Sequence, residues 1–265
     1  MRASTEAHWS RFWRERSDID AVYPTDGRVV EQILSGGPMR DRRVLEVGAG
    51  SARDSVALSA EGAVAVVLDY SAASLEVARG VATREGRRAL LVRADALHLP
   101  FRDGAFDVVF HQGLLEHFRD PMPLLRENVR ALRPGGTLLV DVPQRYHLYT
   151  LLKHVLIAMG KWFAGWETEF SIGELTRLME RAGVRVYRRY GSWMVPGLAY
   201  RSIRVSLLKL GLARLPLYPP PVPVLSPLLA AWRRLWEGTP AAFATYFVIG
   251  ALGRKDGAAG GPPPG

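Results

Sequence analysis

The segment Arg43-Val-Leu-Glu-Val-Gly-Ala-Gly-Ser51 constrains this chain more than any other: a buried strand runs straight into a glycine turn. A second apolar run, Ala63 to Leu68, follows and ends in an acid, Asp69. Strand, Gly-x-Gly turn, helix and a second strand ending in a carboxylate make a nucleotide-binding half-unit. The glycines let the backbone approach a ligand, and the acid accepts hydrogen bonds from two ribose hydroxyls. A lone Gly-x-Gly serves any tight strand-to-helix turn. Asp69 at the right distance, and Asp95 at the end of the next strand, narrow the reading to a nucleotide.

The turn also discriminates among nucleotides. A dinucleotide fingerprint needs a third glycine to seat the helix beneath a pyrophosphate. Here the register Gly48-Ala49-Gly50-Ser51-Ala52-Arg53 puts an arginine in that place. No Gly-Lys-Ser or Gly-Lys-Thr phosphate loop occurs. Glu46, two residues before Gly48, repels a pyrophosphate and suits a ligand with positive charge, such as an ammonium or a sulfonium.

These residues resemble the class I S-adenosylmethionine-dependent methyltransferases. The family's first motif, an acid followed by Gly-x-Gly-x-Gly, is matched by Glu46-Val-Gly48-Ala-Gly50-Ser-Ala52, with Ala52 in place of the last glycine. The resemblance makes Asp69 the ribose acid, lays Tyr70 along the adenine, and gives Asp95 and Ala96 the adenine amino group and ring. It adds cofactor contacts from Ala49, His111 and Gln112. The segments Phe106 to His117 and Leu132 to Val140 are similar to the fourth strand with its turn and to the turn into the fifth strand. The nearest likeness is to the small-molecule branch called methyltransferase type 11, which includes quinone-ring methyltransferases.

The fold so implied is α/β and doubly wound: a seven-stranded Rossmann-like sheet of order 3-2-1-4-5-7-6 with strand 7 antiparallel. Apolar strands at 43 to 47, 63 to 68, 89 to 94, 106 to 111 and 137 to 142 suit a parallel sheet covered on both faces. Helices are expected over 6 to 17, 53 to 61 and 122 to 132, with another after Ser71; Ser171-x-x-Glu174 opens one more as a capping box. Val184 to Tyr190 and Phe243 to Leu252 read as strands. One domain over residues 1–254 is expected, with N-terminal helices to 42, the cofactor core at 43–143, and inserts at 144–170 and 191–240. The tail from 255 reads as disordered.

No metal site is expected, because no carboxylates or histidines cluster at ligand spacing. The absence of cysteine and of an apolar leader suits a cytoplasmic protein. Transfer to an oxygen or acidic carbon wants a base near neutral pKa, and His111 and His147 are the candidates, with His117 expected on a helix packing against the body. Trp9 and Tyr23 could close the pocket from the N-terminal helix.

Charge is uneven: residues 151–265 hold 15 basic and 6 acidic side chains and thus the whole net charge of +9. Within the inserts, Tyr200 to Leu215 and Leu228 to Trp236 interleave Lys or Arg with Leu, Trp and Tyr. A lid over an apolar acceptor reads this way, and so does a surface resting on an anionic membrane. A small, hydrophobic or amphipathic acceptor is therefore expected. Two alternatives stay open. A nucleic-acid methyltransferase would use the basic half, but base-nitrogen enzymes carry Asn or Asp then Pro-Pro where this chain reads His111-Gln-Gly-Leu. A homologue that binds the cofactor without turnover is the other, given Ala52.

Overall fold

The computed structural model of the chain describes residues 5–15, 27–160, 162, 167–216, 218–220 and 225–256. Tyr23, Trp166 and residues 257–265 lie outside them. Lys255, expected to open a disordered tail, instead ends the last strand and donates to Val129 O and Leu132 O. The seven strands are β1 (Arg43–Val47), β2 (Val64–Asp69), β3 (Leu90–Arg93), β4 (Phe106–Gln112), β5 (Leu132–Pro143), β6 (Val184–Ser192) and β7 (Val248–Lys255). They form one sheet of order β3-β2-β1-β4-β5-β7-β6. β7 runs antiparallel to both neighbours and the other pairings are parallel, as the family likeness implied.

Strand alternation sorts the core into two layers. On one face Leu45, Val47, Val109, Leu138 and Val140 pack with Leu124, Leu125 and Val129 of α5 (Met122–Ala131) and with Leu175 and Met179 of α7 (Ile172–Arg181). On the other, Val44, Val108, Phe110 and Leu139 pack with Val29 and Ile33 of α2 (Arg28–Leu34) and Leu58 of α3 (Arg53–Ala60). Farther along that sheet Val67 meets Leu75 and Ala78 of α4 (Ala72–Arg84). In the central strands β1 and β4 every second residue faces one layer, so the middle of the sheet is covered on both faces. Edge strand β6 instead leaves Arg185, Tyr187, Arg188 and Arg189 exposed. The order reverses at β1, which pairs with β2 on one side and β4 on the other. Ligands in doubly wound sheets sit at the carboxyl ends of the strands beside such a reversal.

Helix ends are fixed by local chemistry. Ser71 caps α4 by accepting from Ser74 N, and Ser171 and Glu174 form the expected capping box of α7. α1 (Glu6–Glu15) precedes them all. Insert helices α6 (Leu148–Ala158), α8 (Leu198–Lys209) and α9 (Leu225–Trp236) follow β5 and β6. One expectation needs correction. The apolar run from Phe243 is not all strand: residues through Thr245 belong to α10 (Pro240–Thr245), capped by Thr239, and β7 begins at Val248. A proline at the first helical turn and a threonine cap outweigh the β-propensity of the run.

The far side of the sheet closes on two glycine–tyrosine contacts. A Cβ on Gly250 would collide with the ring of Tyr190, and one on Gly191 with the ring of Tyr246. Tyr190 is buried and its hydroxyl donates to Asp141 Oδ2 at 2.9 Å. Gly250→Ala should therefore destabilise the protein by about 1–3 kcal/mol through overpacking. Urea unfolding measures this, and an unchanged midpoint would mean that the ring yields at no cost.

Candidate functional site

At the end of β1 the backbone takes three left-handed residues in close succession, Gly48 (φ 65°), Gly50 (φ 53°) and Ala52 (φ 55°). Amides of Gly48 and Ala49 both donate to Leu68 O, at 2.8 and 3.2 Å, which pins the turn to the end of β2. Space as well as φ requires glycine here: a Cβ at Gly48 would lie 2.7 Å from Leu114 Cδ1, and one at Gly50 would lie 2.5 Å from Trp13. Ala52 is a different case. It is buried against Val67, Leu75 and Ala78, so its methyl fills the core beneath α3 and leaves the ligand side open. That contact offsets the cost of a left-handed alanine.

Asp69 binds this turn to its neighbour. Its Oδ2 accepts from Gly50 N at 3.0 Å and its Oδ1 from Ser71 N at 2.8 Å. Glu46 Oε2 accepts from Ser55 N at 3.2 Å, at the start of α3. Glu46, Asp54 and Asp69 are all buried and all line a cavity of about 680 Å³. Burial pushes the Glu46 carboxyl up to about 8, and the nearby Asp54 adds to the rise. Burial also raises Asp69, although the amides of Ser71 and Gly50 oppose it. A positively charged ligand beside Glu46 and Asp69 would favour their ionised forms. The donor set thus fits the cofactor that the family likeness implies.

Around the cavity stand Gly48, Ala49, Gly50, Tyr70, Asp95, Ala96 and Gln112, as read from the sequence. Asp95 lies at the exposed rim, where its Oδ1 accepts from Leu97 N at 2.9 Å. α1 covers the opening with Trp9 and Trp13. A 3.0 Å contact between the hydroxyls of Ser10 and Ser71, and a 2.6 Å ion pair between Glu6 and Arg93, hold it there.

Arg28 and Asp54 are lining residues that local motifs do not signal. Arg28 makes a bidentate pair with buried Asp141, through Nε at 3.0 Å and Nη2 at 2.8 Å. With its amide oriented to satisfy both neighbours, Gln112 donates to Asp54 Oδ2 at 3.1 Å and accepts from Arg28 Nη2 at 2.6 Å. The one signal in the sequence was the acid at the end of β5; its partner lies 113 positions away.

The three histidines separate. His111 points into the core, fully buried, with neither ring nitrogen hydrogen-bonded to protein and its pKa pushed down by burial to about 3. It does not line the cavity, and a ring so hard to protonate makes a poor base at neutral pH. His147 caps α6, where its Nδ1 accepts from Tyr149 N at 3.1 Å and its edge meets Phe247. It too lies outside the lining. His117 is the ring on the wall, 5.1 Å from Trp9. It sits on a 3-10 turn (Leu115–His117), not on the helix expected for it. Among the described residues no three His, Asp or Glu side chains converge as a metal would need.

Residues 45–140 match the family described as "Methyltransferase domain" (Methyltransf_11). The "Methyltransferase GfsG" of Streptomyces halstedii is 31% identical over 185 residues, which span 65% of this chain and 64% of that protein. A "Demethylmenaquinone methyltransferase" of Clavibacter sepedonicus is 38% identical over 103 residues, 39% of this chain and 42% of its own length. The chain thus spans less than two thirds of these relatives. A Thermotoga maritima structure described as a SAM-dependent methyltransferase, possible histamine N-methyltransferase, superposes with a TM-score of 0.63 at 20% identity. It covers 94% of this chain and 99% of its own, a likeness of fold.

The state of Glu46 makes stability depend on pH. Its folded pKa of about 8 exceeds the ordinary 4.5, so below pH 4.5 both folded and unfolded states keep the proton and burial costs little. As pH climbs from there to 8 the unfolded chain releases the proton first, and stability falls; above that the full cost is felt. Glu46→Gln should therefore stabilise the ligand-free protein above pH 8, on the order of a few kcal/mol, and far less below the ordinary value. Melting temperatures of both proteins across pH test this; a constant difference would refute it.

Proposed function

We propose, on the premise that residues 45–140 are a class I methyltransferase domain of the type 11 family, that this protein transfers methyl from S-adenosyl-L-methionine to a small hydrophobic or amphipathic acceptor. The observation that carries the reading is the set of buried carboxylates, Glu46, Asp54 and Asp69, facing one cavity that tryptophans cover. When bound, the cofactor supplies a methyl made labile by its sulfonium charge.

The residues have separable tasks. Asp69, whose oxygens are already aimed by Gly50 and Ser71, accepts from the ribose hydroxyls. Tyr70, Asp95 and Ala96 form the wall for the adenine. Glu46 and Asp54 face the cationic end, and Arg28, held by Asp141, meets the carboxylate. Glycines 48 and 50 keep the backbone close, and Trp9 and Trp13 keep water out. Such a site works mainly by alignment, since in-line displacement needs little covalent help. Where the acceptor must lose a proton, we assign the task to His117, the histidine on the cavity wall.

Relatives named for demethylmenaquinone support an acceptor of quinone type. The aromatic surface of Trp9, Trp13 and Phe118 suits a flat ring. A panel of quinols and other phenols with labelled cofactor tests the acceptor class; methylation of polar amines alone would overturn it.

Cofactor binding has its own test. Asp69→Ala should weaken affinity by about 1–3 kcal/mol, because a charged acceptor of hydrogen bonds is lost. Calorimetry with S-adenosyl-L-methionine reads this directly, and a melting curve shows whether the turn survives. Wild-type affinity in a folded variant would remove Asp69 from the site.

A further inference from the structure

α6 is built inside out. Its inner face carries Lys153, 2% exposed, whose Nζ lies 2.7 Å from both Glu167 Oε2 and Glu169 Oε1. Thr150, also buried, donates to Gln144 O at 2.7 Å. The outer face carries Leu148, Leu151, Leu152, Val155 and Met159, a stripe at helical spacing in which every side chain is more than half exposed. The ion pairs fix this rotation: turning the leucines inward would strip Lys153 of both carboxylates. A helix held with its lysine in and its leucines out matches apolar surroundings on the outside.

The other insert helices agree. Leu228, Trp232 and Leu235 recur one turn apart on α9 and are exposed, Leu235 by 80%, with Leu229 and Trp236 beside them. Among the described side chains of α8 and α9 none is buried, and α8 exposes Ile203, Val205 and Leu208. The topology gathers all three helices. Pro143, Val248 and Ser192 stand in register across β5, β7 and β6. Both inserts therefore leave the sheet from one corner, on the edge that also holds the cavity.

Charge identifies the occupant. Residues 191–240 carry Arg201, Arg204, Lys209, Arg214, Arg233 and Arg234 against a single carboxylate, Glu237. Residues 144–160 carry no carboxylate at all. A second copy of the chain would set cation against cation across this face. Among the described residues no helix is long and apolar enough to cross a membrane. We propose that α6, α8 and α9 form a docking surface for an anionic lipid bilayer. The leucines and tryptophans enter the headgroup boundary, the arginines stay at the phosphates, and the edge bearing the cavity faces the membrane.

The test is flotation of the full chain with phosphatidylcholine vesicles, with or without about one third phosphatidylglycerol. It needs neither cofactor nor acceptor, so its result stands apart from that of the methyl-transfer assay. We expect retention on the anionic vesicles at about 50 mM salt, and release of most of the protein at about 500 mM. Leu151→Ser, Leu228→Ser and Leu235→Ser together should cut partitioning at least about tenfold with no change in melting temperature, since all three side chains are exposed. Arg234→Glu should weaken it several-fold. No retention at low salt, equal retention on neutral vesicles, or wild-type retention by the triple variant would each overturn the proposal. Self-association that the leucine variants abolish, without vesicle binding, would assign the face to a second copy and overturn it as well.

Discussion

The Asp69 carboxylate is the point on which the ligand side of the molecule depends. A buried carboxylate is costly unless it is hydrogen-bonded, and here backbone amides from two directions satisfy it. One comes from the glycine turn after β1 and the other from the start of α4. Fixing both on a single side chain sets the distance between turn and helix, and so the width of the cavity floor. Ser71 carries the restraint onward: its hydroxyl accepts from Ser74 N and meets Ser10 of α1. The helix that covers the cavity is thereby tied to the group we assign to the ribose.

The same site gathers three buried carboxylates, Glu46, Asp54 and Asp69, around one cavity. Asp107 shows the contrast: the backbone amide of Arg43 and the guanidinium of Arg133 hold its carboxyl below the ordinary value. Burial and the neighbouring carboxylates of Asp54 and Asp69 raise Glu46, and hydrogen bonding from Ser55 only partly opposes them. Arg28, although it stands on the cavity wall, is already engaged by Asp141, which positions it without leaving it free to neutralise Glu46.

Beyond the fifth strand the distribution of polarity inverts. The sheet and its covering helices bury leucines and valines and expose arginines, whereas α6 buries a lysine and exposes leucines. The inversion is local and is enforced by two short ion pairs, so it is a property of the insert itself. It also separates the inserts from the cavity lining, which is drawn from α1, the first residues of α2 and α3, and the ends of β1 to β4 with the turns after them. Of the insert tryptophans among the described residues, none of Trp162, Trp193, Trp232 and Trp236 lines the cavity.

Features governed by neighbours in the chain were legible from the sequence. Strand periodicity, the glycine turn, the acids at strand ends and the caps at Ser71 and Ser171 are local, whereas the strand order and the ligand contacts were implied by the family likeness that those motifs carry. Even the exception, the run from Phe243, was a competition between local signals that the cap at Thr239 won. Tertiary structure decided which distant side chains meet. Arg28 reaches Asp141, and Trp13 lies on Gly50, through the folding of separate helices onto one sheet edge. His111 and His117 sit six positions apart with opposite fates, because a strand end turns one into the core and a 3-10 turn presents the other to the cavity. The outward face of α6 was likewise undecided until Lys153 found Glu167 and Glu169. A hydrophobic stripe records that a helix has two faces, and only long-range pairing selects which one points inward.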